Sequence, residues 1–230
     1  MVAALDLGSS VVRRGGSSPS WVTQKKMKLH FIWVGENETP QPFLSNLEKV
    51  KVANPGLEFM EWNDSNLVQI LEKYGRKEEY LNSSIFHKLQ LARYTVLDLY
   101  GGLYSDYDIY WNFPIVQALG ERIDSDMVFT QRRSLYFYKN NREIEKLKLL
   151  DDYLIYAKPG LTSSFLDFCL ERSRQKERLK DDSTEPYSVY ALTEWIRESH
   201  FDIKYFSEEE IYHDGPCTIA KHDNKKTWNN

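Results

Sequence analysis

Leu29-His30-Phe31-Ile32-Trp33-Val34-Gly35 is the stretch on which the fold turns. A short, nearly continuous apolar run closed by a glycine is the pattern of a strand buried on both faces. Downstream, residues 43–53 predict a helix that stops before the turn signal Asn54-Pro55-Gly56. Residues 57–62 predict a second strand, and 65–74 a helix stopped by Gly75. A longer helix over 84–100 ends at Gly101-Gly102, the residue type that best tolerates a left-handed cap. This alternation argues for an α/β sheet with much parallel pairing.

Further along, a strand is expected over 103–111, with others near 127–130 and 153–157. A helix over 163–180 follows, then the polar break Asp181-Asp182-Ser183-Thr184, a helix over 187–199 and an irregular end. Upstream of the opening strand the character changes. Residues 1–26 are rich in Gly and Ser and show no sustained periodicity, so they cannot bury enough apolar area to offset their ordering entropy. They read as a tail, either an expression leader or a native extension, before a single folded domain over 27–230.

Composition narrows the function classes. Hydrophobic residues at 41% and charged residues at 28% of 230 fit a globular domain with a real core. A net charge of −4 supplies no basic field for nucleic acid or anionic lipid. The two cysteines, Cys169 and Cys217, form no C-x-x-C pair, which argues against a zinc knuckle and excludes a disulfide framework. No apolar run is long enough to span a membrane, so a soluble, cytoplasmic protein is the expectation. The 15 Tyr and 6 Trp offer ring surface suited to a sugar or a base, or simply to core packing.

Two acidic pairs occur, Asp106-Tyr107-Asp108 and Asp124-Ser125-Asp126. On a strand, residues two apart share a face, which would set the Asp106 and Asp108 carboxylates side by side about 7 Å apart. Such a pair suits a hard divalent cation. Spacing alone is weak; context separates the two. Asp106 and Asp108 follow an amphipathic helix, a Gly-Gly stop and a hydrophobic strand, whereas Asp124 and Asp126 read as a solvated turn. Acids on one side of a strand also argue against a glycoside hydrolase, whose carboxylates flank the bond. A nucleotide kinase is disfavoured because neither G-x-x-x-x-G-K-[ST] nor G-x-G-x-x-G occurs. A non-catalytic sugar-binding module stays open.

His30-Phe31-Ile32-Trp33-Val34-Gly35, then Arg93, then Gly101-Gly102-Leu103-Tyr104-Ser105-Asp106-Tyr107-Asp108 resembles the DXD-containing sugar transferases. These include fungal mannosyltransferases, the large clostridial glucosylating toxins and compact versions in large algal viruses. The resemblance is good from Lys28 to Trp111 and looser beyond. It implies a GT-A-type, Rossmann-like open sheet, mostly parallel and flanked by helices. It implies a transferase moving a sugar from a nucleotide-diphosphate donor to a glycan or other hydroxyl acceptor, mostly with retention. Manganese or magnesium would serve as cofactor, and a uridine donor is favoured over a guanosine one because of Trp33. A virus-encoded enzyme would act in the host cytoplasm.

Carried onto this chain, the resemblance sets Trp33, with Val34 beside it, at the nucleobase; a core tryptophan is the alternative. Arg93 would touch the donor phosphate or sugar, or else pair with the acids; its planar fork suits either role. Tyr104 would touch the donor near the metal, or pack the core. Gln90 stands where the family has an Asp that reads sugar hydroxyls, so the transferred sugar need not be glucose or mannose. Asp152 replaces a family Asn, and Glu185 precedes a proline where relatives have Gly-Pro. These two acids are the candidates for a catalytic nucleophile. Lys221-His222-Asp223 and Thr227-Trp228 resemble the closing His and Ser-Trp signature, which makes His222 a third metal ligand and Trp228 a donor contact. His213 has weaker support.

Overall fold

The structure is a computed structural model, and it describes residues 26–139, 142–179, 189–212 and 218–223. In chain order the elements are β1 (Lys28–Ile32), α1 (Gln41–Ala53), β2 (Glu58–Trp62), α2 (Asp64–Lys73), α3 (Lys77–Leu81) and α4 (Ile85–Tyr100). Next come β3 (Gly102–Ser105), β4 (Ile109–Trp111), α5 (Ile115–Leu119), β5 (Met127–Lys139) and β6 (Arg142–Ala157). The chain continues through α6 (Ser163–Leu179), α7 (Val189–Glu198), β7 (Ile203–Phe206), β8 (Ile211–Tyr212) and β9 (Ala220–His222).

Six strands form the central sheet in the order β2-β1-β3-β6-β5-β7. β1 pairs in parallel with β2 and β3, and β5 with β7, while β6 runs against both of its neighbours. The sheet is therefore mostly parallel, as the alternating elements predict. Along β1, Leu29 and Phe31 belong to one apolar cluster and Ile32 to the other. The first face meets Phe43, Leu47 and Val50 of α1; the second meets α2, α4, α6 and α7. Burial on both faces is why the run 29–34 carries no polar alternation. Each fully buried Leu or Phe here contributes about 1.5–3 kcal/mol relative to exposure.

Local signals set several boundaries. Asn63 and Asn66 form a reciprocal capping box at the start of α2, and Ser84 accepts from the His87 amide at the start of α4. At the end of α4 the chain must turn straight into β3. Gly102 has φ of +103°, and a Cβ there would sit 2.4 Å from the Lys28 carbonyl on neighbouring β1. Only glycine satisfies both demands.

Three expectations need correction. The single strand over 103–111 is two strands in different sheets, broken by a turn at Asp106–Asp108. The strands near 127–130 and 153–157 are the inner ends of a long antiparallel pair, β5 with β6. The end of the chain is not wholly irregular: β9 pairs with β4 and β8 to make a second, three-stranded sheet. α3 is an addition that the sequence pattern does not predict. The readings on residues 1–25, Glu185, His213 and Trp228 fall outside the described residues. Among the described residues, no helix is long and apolar enough to cross a membrane.

Candidate active site

Asp106 and Asp108 flank a tight turn that leaves the carboxyl end of β3 and enters β4. The Ile109 amide closes the turn onto the Asp106 carbonyl at 3.3 Å. Its backbone is held from three directions. Tyr153 of β6 accepts from the Asp106 amide at 2.9 Å, and the Asp223 amide donates to the Asp108 carbonyl at 3.0 Å. Asn46, from the buried face of α1, donates to the carbonyls of both Tyr107 and Ile109, each at 2.8 Å. The sequence reading does not place Asn46 at the site. Its signal is a lone amide in the apolar stripe Phe43, Leu47, Val50, where a buried polar group needs a partner.

The strand argument for why the two carboxylates converge is therefore replaced by a turn. The convergence itself stands, and His222 joins it. One ligand atom from each of Asp106, Asp108 and His222 lies within 4.8 Å of the other two. His222 Nε2 is 3.2 Å from Asp108 Oδ1 and 3.8 Å from Asp106 Oδ2. Adjacent ligands of a small octahedral cation bound at about 2.1 Å sit about 3 Å apart. The donor set fits a divalent cation: two carboxylates offer hard oxygens and the imidazole a nitrogen, with no thiolate among them. β9 delivers His222 by pairing it opposite Ile109, and the Tyr153 ring packs on the imidazole with centroids 4.1 Å apart.

Electrostatics express the crowding. Burial raises the Asp106 carboxyl to about 6, against the opposing pull of Arg93 and His222. Burial alone would lower His222, but the Asp108 hydrogen bond and both aspartate charges outweigh it and raise the imidazole above its usual range. A bound cation would compete with the protons that Asp106 and His222 retain.

Behind the acids lies Arg93, 2% exposed. Its Nη1 is 2.6 Å from Asp152 Oδ2 and donates to Gln90 Oε1 at 3.4 Å. Its Nη2 reaches Asp106 Oδ1 at 3.3 Å and the Tyr104 hydroxyl at 3.1 Å. The guanidinium also lies over the Tyr104 ring, 4.4 Å from its centroid, and the Tyr104 hydroxyl donates to Asp106 Oδ1. Of the two roles open for Arg93, this geometry displays pairing with the acids. Gln90 and Tyr104 are likewise buried, at 2% and 1% exposure. The second acidic pair, Asp124 and Asp126, stands elsewhere: Asp126 meets Lys158 at 3.1 Å and accepts the Asp202 amide.

Trp33 lies one residue beyond β1 and extends the ladder by donating from its amide to the Trp62 carbonyl at 2.9 Å. Its indole N–H donates to the Asn37 carbonyl, and its ring meets the Tyr107 ring edge-on at 6.1 Å. The tryptophan thus adjoins the residue between the two aspartates. It lines an open cleft of about 450 Å³ with Asn37, Glu38, Asn63, Asp64 and Ser65. Val34 packs against the apolar cluster on the α4 side of the sheet.

Residues 19–134, half of the chain, match the family described as a glycosyltransferase sugar-binding region containing a DXD motif. This chain is a DXD glycosyltransferase. The matched region holds both D-x-D stretches, Asp106-Tyr107-Asp108 and Asp124-Ser125-Asp126, and among the described residues the first is the one whose two acids gather with a histidine. Solved structures similar to this DXD glycosyltransferase include the PaToxG glycosyltransferase, at 13% identity and a TM-score of 0.45, over 75% of this chain and 70% of that one. A glycosyltransferase involved in glycosylation of the major capsid of PBCV-1 is similar at 9% identity and a TM-score of 0.46, covering 89% and 96%. The catalytic domain of alpha-toxin from Clostridium novyi is similar at 10% identity and a TM-score of 0.40, covering 77% and 65%. No curated protein sequence matches the chain.

Proposed function

We propose that this glycosyltransferase uses a uridine-diphosphate sugar with manganese, and passes the sugar to a glycan hydroxyl with retention of configuration. One observation carries the reading: Asp106, Asp108 and His222 converge beside a turn whose central Tyr107 touches Trp33. This adjacency supports a cation site beside an aromatic platform, the pairing that a nucleotide-diphosphate donor would need. Trp33 would stack on the base, and Asp106, Asp108 and His222 would hold the cation. A divalent ion there supplies positive charge to the departing diphosphate. Arg93, buried between Asp152 and Asp106, holds Oδ1 of the Asp106 carboxylate and so would orient that group toward a bound cation.

In the transfer, the bond from the anomeric carbon to the terminal phosphate oxygen breaks, and the acceptor oxygen bonds to that carbon. The acceptor proton leaves with the nucleoside diphosphate or to solvent. Asp152 is engaged by Arg93 at 2.6 Å, which favours a route without attack by an enzymic carboxylate at that position. Gln90, held against Arg93, presents an amide where a carboxylate would read sugar hydroxyls more strongly. A sugar other than glucose or mannose is consistent with that exchange.

Calorimetry against a panel of nucleotide sugars, with and without manganese, tests the proposal. Uridine-diphosphate sugars should bind more tightly when manganese is present. Equal affinity with and without the ion would overturn it, and preference for guanosine donors would reassign the base. Turnover should vanish in Asp108→Ala, whereas a simple sugar-binding module would keep its carbohydrate affinity.

A further inference from the structure

The turn that carries Trp33 is fastened by a residue outside the DXD and tryptophan motifs. Beyond Trp33 the chain bends at Gly35, where φ is +106° and a Cβ would lie 2.9 Å from Ile85 Cδ1. The Gly35 amide donates to Asp64 Oδ2 at 2.7 Å. The other oxygen, Asp64 Oδ1, accepts the hydroxyl of Tyr80 at 2.6 Å. Tyr80 belongs to α3 and is fully buried, so its hydroxyl is a fixed post. Asp64 itself begins α2, whose first turn is locked by the Asn63–Asn66 capping box. One carboxylate therefore ties the loop after β1 to two helices at once.

We infer that Asp64 is the positioning residue of the nucleobase platform, holding the Trp33–Gly35 turn so that the indole lines the cleft before donor arrives. The inference rests on the reading that Trp33 takes the base. Both bonds to Asp64 engage a carboxylate, the stronger class of neutral-donor contact, and they fix backbone that would otherwise be free to rotate at a glycine. Preorganisation of this kind lowers the ordering cost of binding without adding any contact to the ligand. Asparagine could reproduce the arrangement, with its oxygen accepting from Gly35 and its amide donating to the Tyr80 oxygen.

The test compares two probes in the presence of manganese: uridine diphosphate, which has a base, and inorganic pyrophosphate, which has none. Asp64→Ala should weaken uridine diphosphate about tenfold, the scale of one or two lost charge-assisted bonds. Pyrophosphate affinity should stay at the wild-type value, because the metal site is untouched. Asp64→Asn should restore most of the loss, and Tyr80→Phe, which keeps the buried ring, should weaken uridine diphosphate by about threefold. Should Asp64→Ala fail to fold, Tyr80→Phe and Asp64→Asn carry the comparison alone. Wild-type affinity for uridine diphosphate in Tyr80→Phe and Asp64→Ala, or an equal loss for both probes, overturns the inference. Trp33→Ala separates the two layers. If it leaves uridine diphosphate binding unchanged, the platform itself is refuted; if it abolishes base-dependent binding while the Asp64 variants do not, only the positioning role is.

Discussion

Arg93 Nη1 stands 2.6 Å from Asp152 Oδ2, and the arginine side chain is only 3% exposed. The same guanidinium reaches Asp106 with its other nitrogen, so one buried cation spans two acids. Removing it would leave both carboxylates short of their counter-charge in a desolvated place. Breaking a buried pair of this kind costs about 3–5 kcal/mol. Arg93→Met should therefore lower the urea midpoint strongly, and Arg93→Lys should recover only part, because an ammonium cannot fork between Asp152 and Asp106. A Met variant with wild-type stability in urea melts would show that the pairing contributes nothing net.

Much of this architecture is legible in the amino-acid sequence. β1, α1, β2, α2 and α4 follow from apolar periodicity and Gly or Asn punctuation, because each signal is local. What local signals cannot convey is where β3 ends. Residues 103–111 read as one strand, since apolar residues alternate with polar ones on both sides of Asp106. The break is imposed from afar by Asn46, Tyr153 and Asp223, which bind the turn's backbone groups. β9 is hidden for a related reason: three residues of edge pairing leave almost no pattern, and its register is set by β4. In the sequence His222 stands out by resemblance alone, whereas the fold gives it a physical cause in that pairing.

Asn46 supplies the second prediction. Its two donated bonds go to the carbonyls on either side of Asp108, and the residue is 4% exposed. Asn46→Leu fills the space but orphans two buried acceptors, at about 1–3 kcal/mol. Stability should fall by that amount in chemical denaturation. Manganese binding should weaken as well, since the turn is freed. An Asn46→Leu protein that binds manganese as tightly as wild type would mean that the turn holds its shape unaided.

His30 makes stability depend on pH. The Trp62 indole donates to its Nδ1 at 3.0 Å, which leaves the proton on Nε2 to donate to the Gly101 carbonyl at 2.8 Å. Burial holds the imidazole neutral and lowers its pKa to about 4. A histidine depressed in the folded state is protonated first in the unfolded chain. Its stabilising effect is therefore complete above about 6.5 and is lost as pH falls towards 4. The loss is about 3 kcal/mol at most, from roughly 2.5 pH units at 1.36 kcal/mol each. Urea melts of wild type and His30→Gln across pH 4–8 should show a shallower decline for the variant in that window. Parallel profiles would assign the acid sensitivity to other groups.

Metal affinity should carry its own pH signature, opposite in origin. Without a cation, Asp106 holds its proton to about pH 6, and His222 holds one above its ordinary range. Both must be deprotonated to ligate, so binding releases protons and strengthens as pH rises. Below pH 6 the apparent association constant should drop by up to about two decades per pH unit, one for each group that must lose its proton. It should level off only once pH passes the raised range of the imidazole. His222→Ala removes one of the two protons: its affinity is weaker throughout, but the acid limb becomes shallower, near one decade per unit. Calorimetric titration of manganese between pH 5 and 8.5 measures both slopes. Identical slopes in wild type and His222→Ala would place the imidazole outside the cation's coordination sphere, and leave the two aspartates to hold it alone.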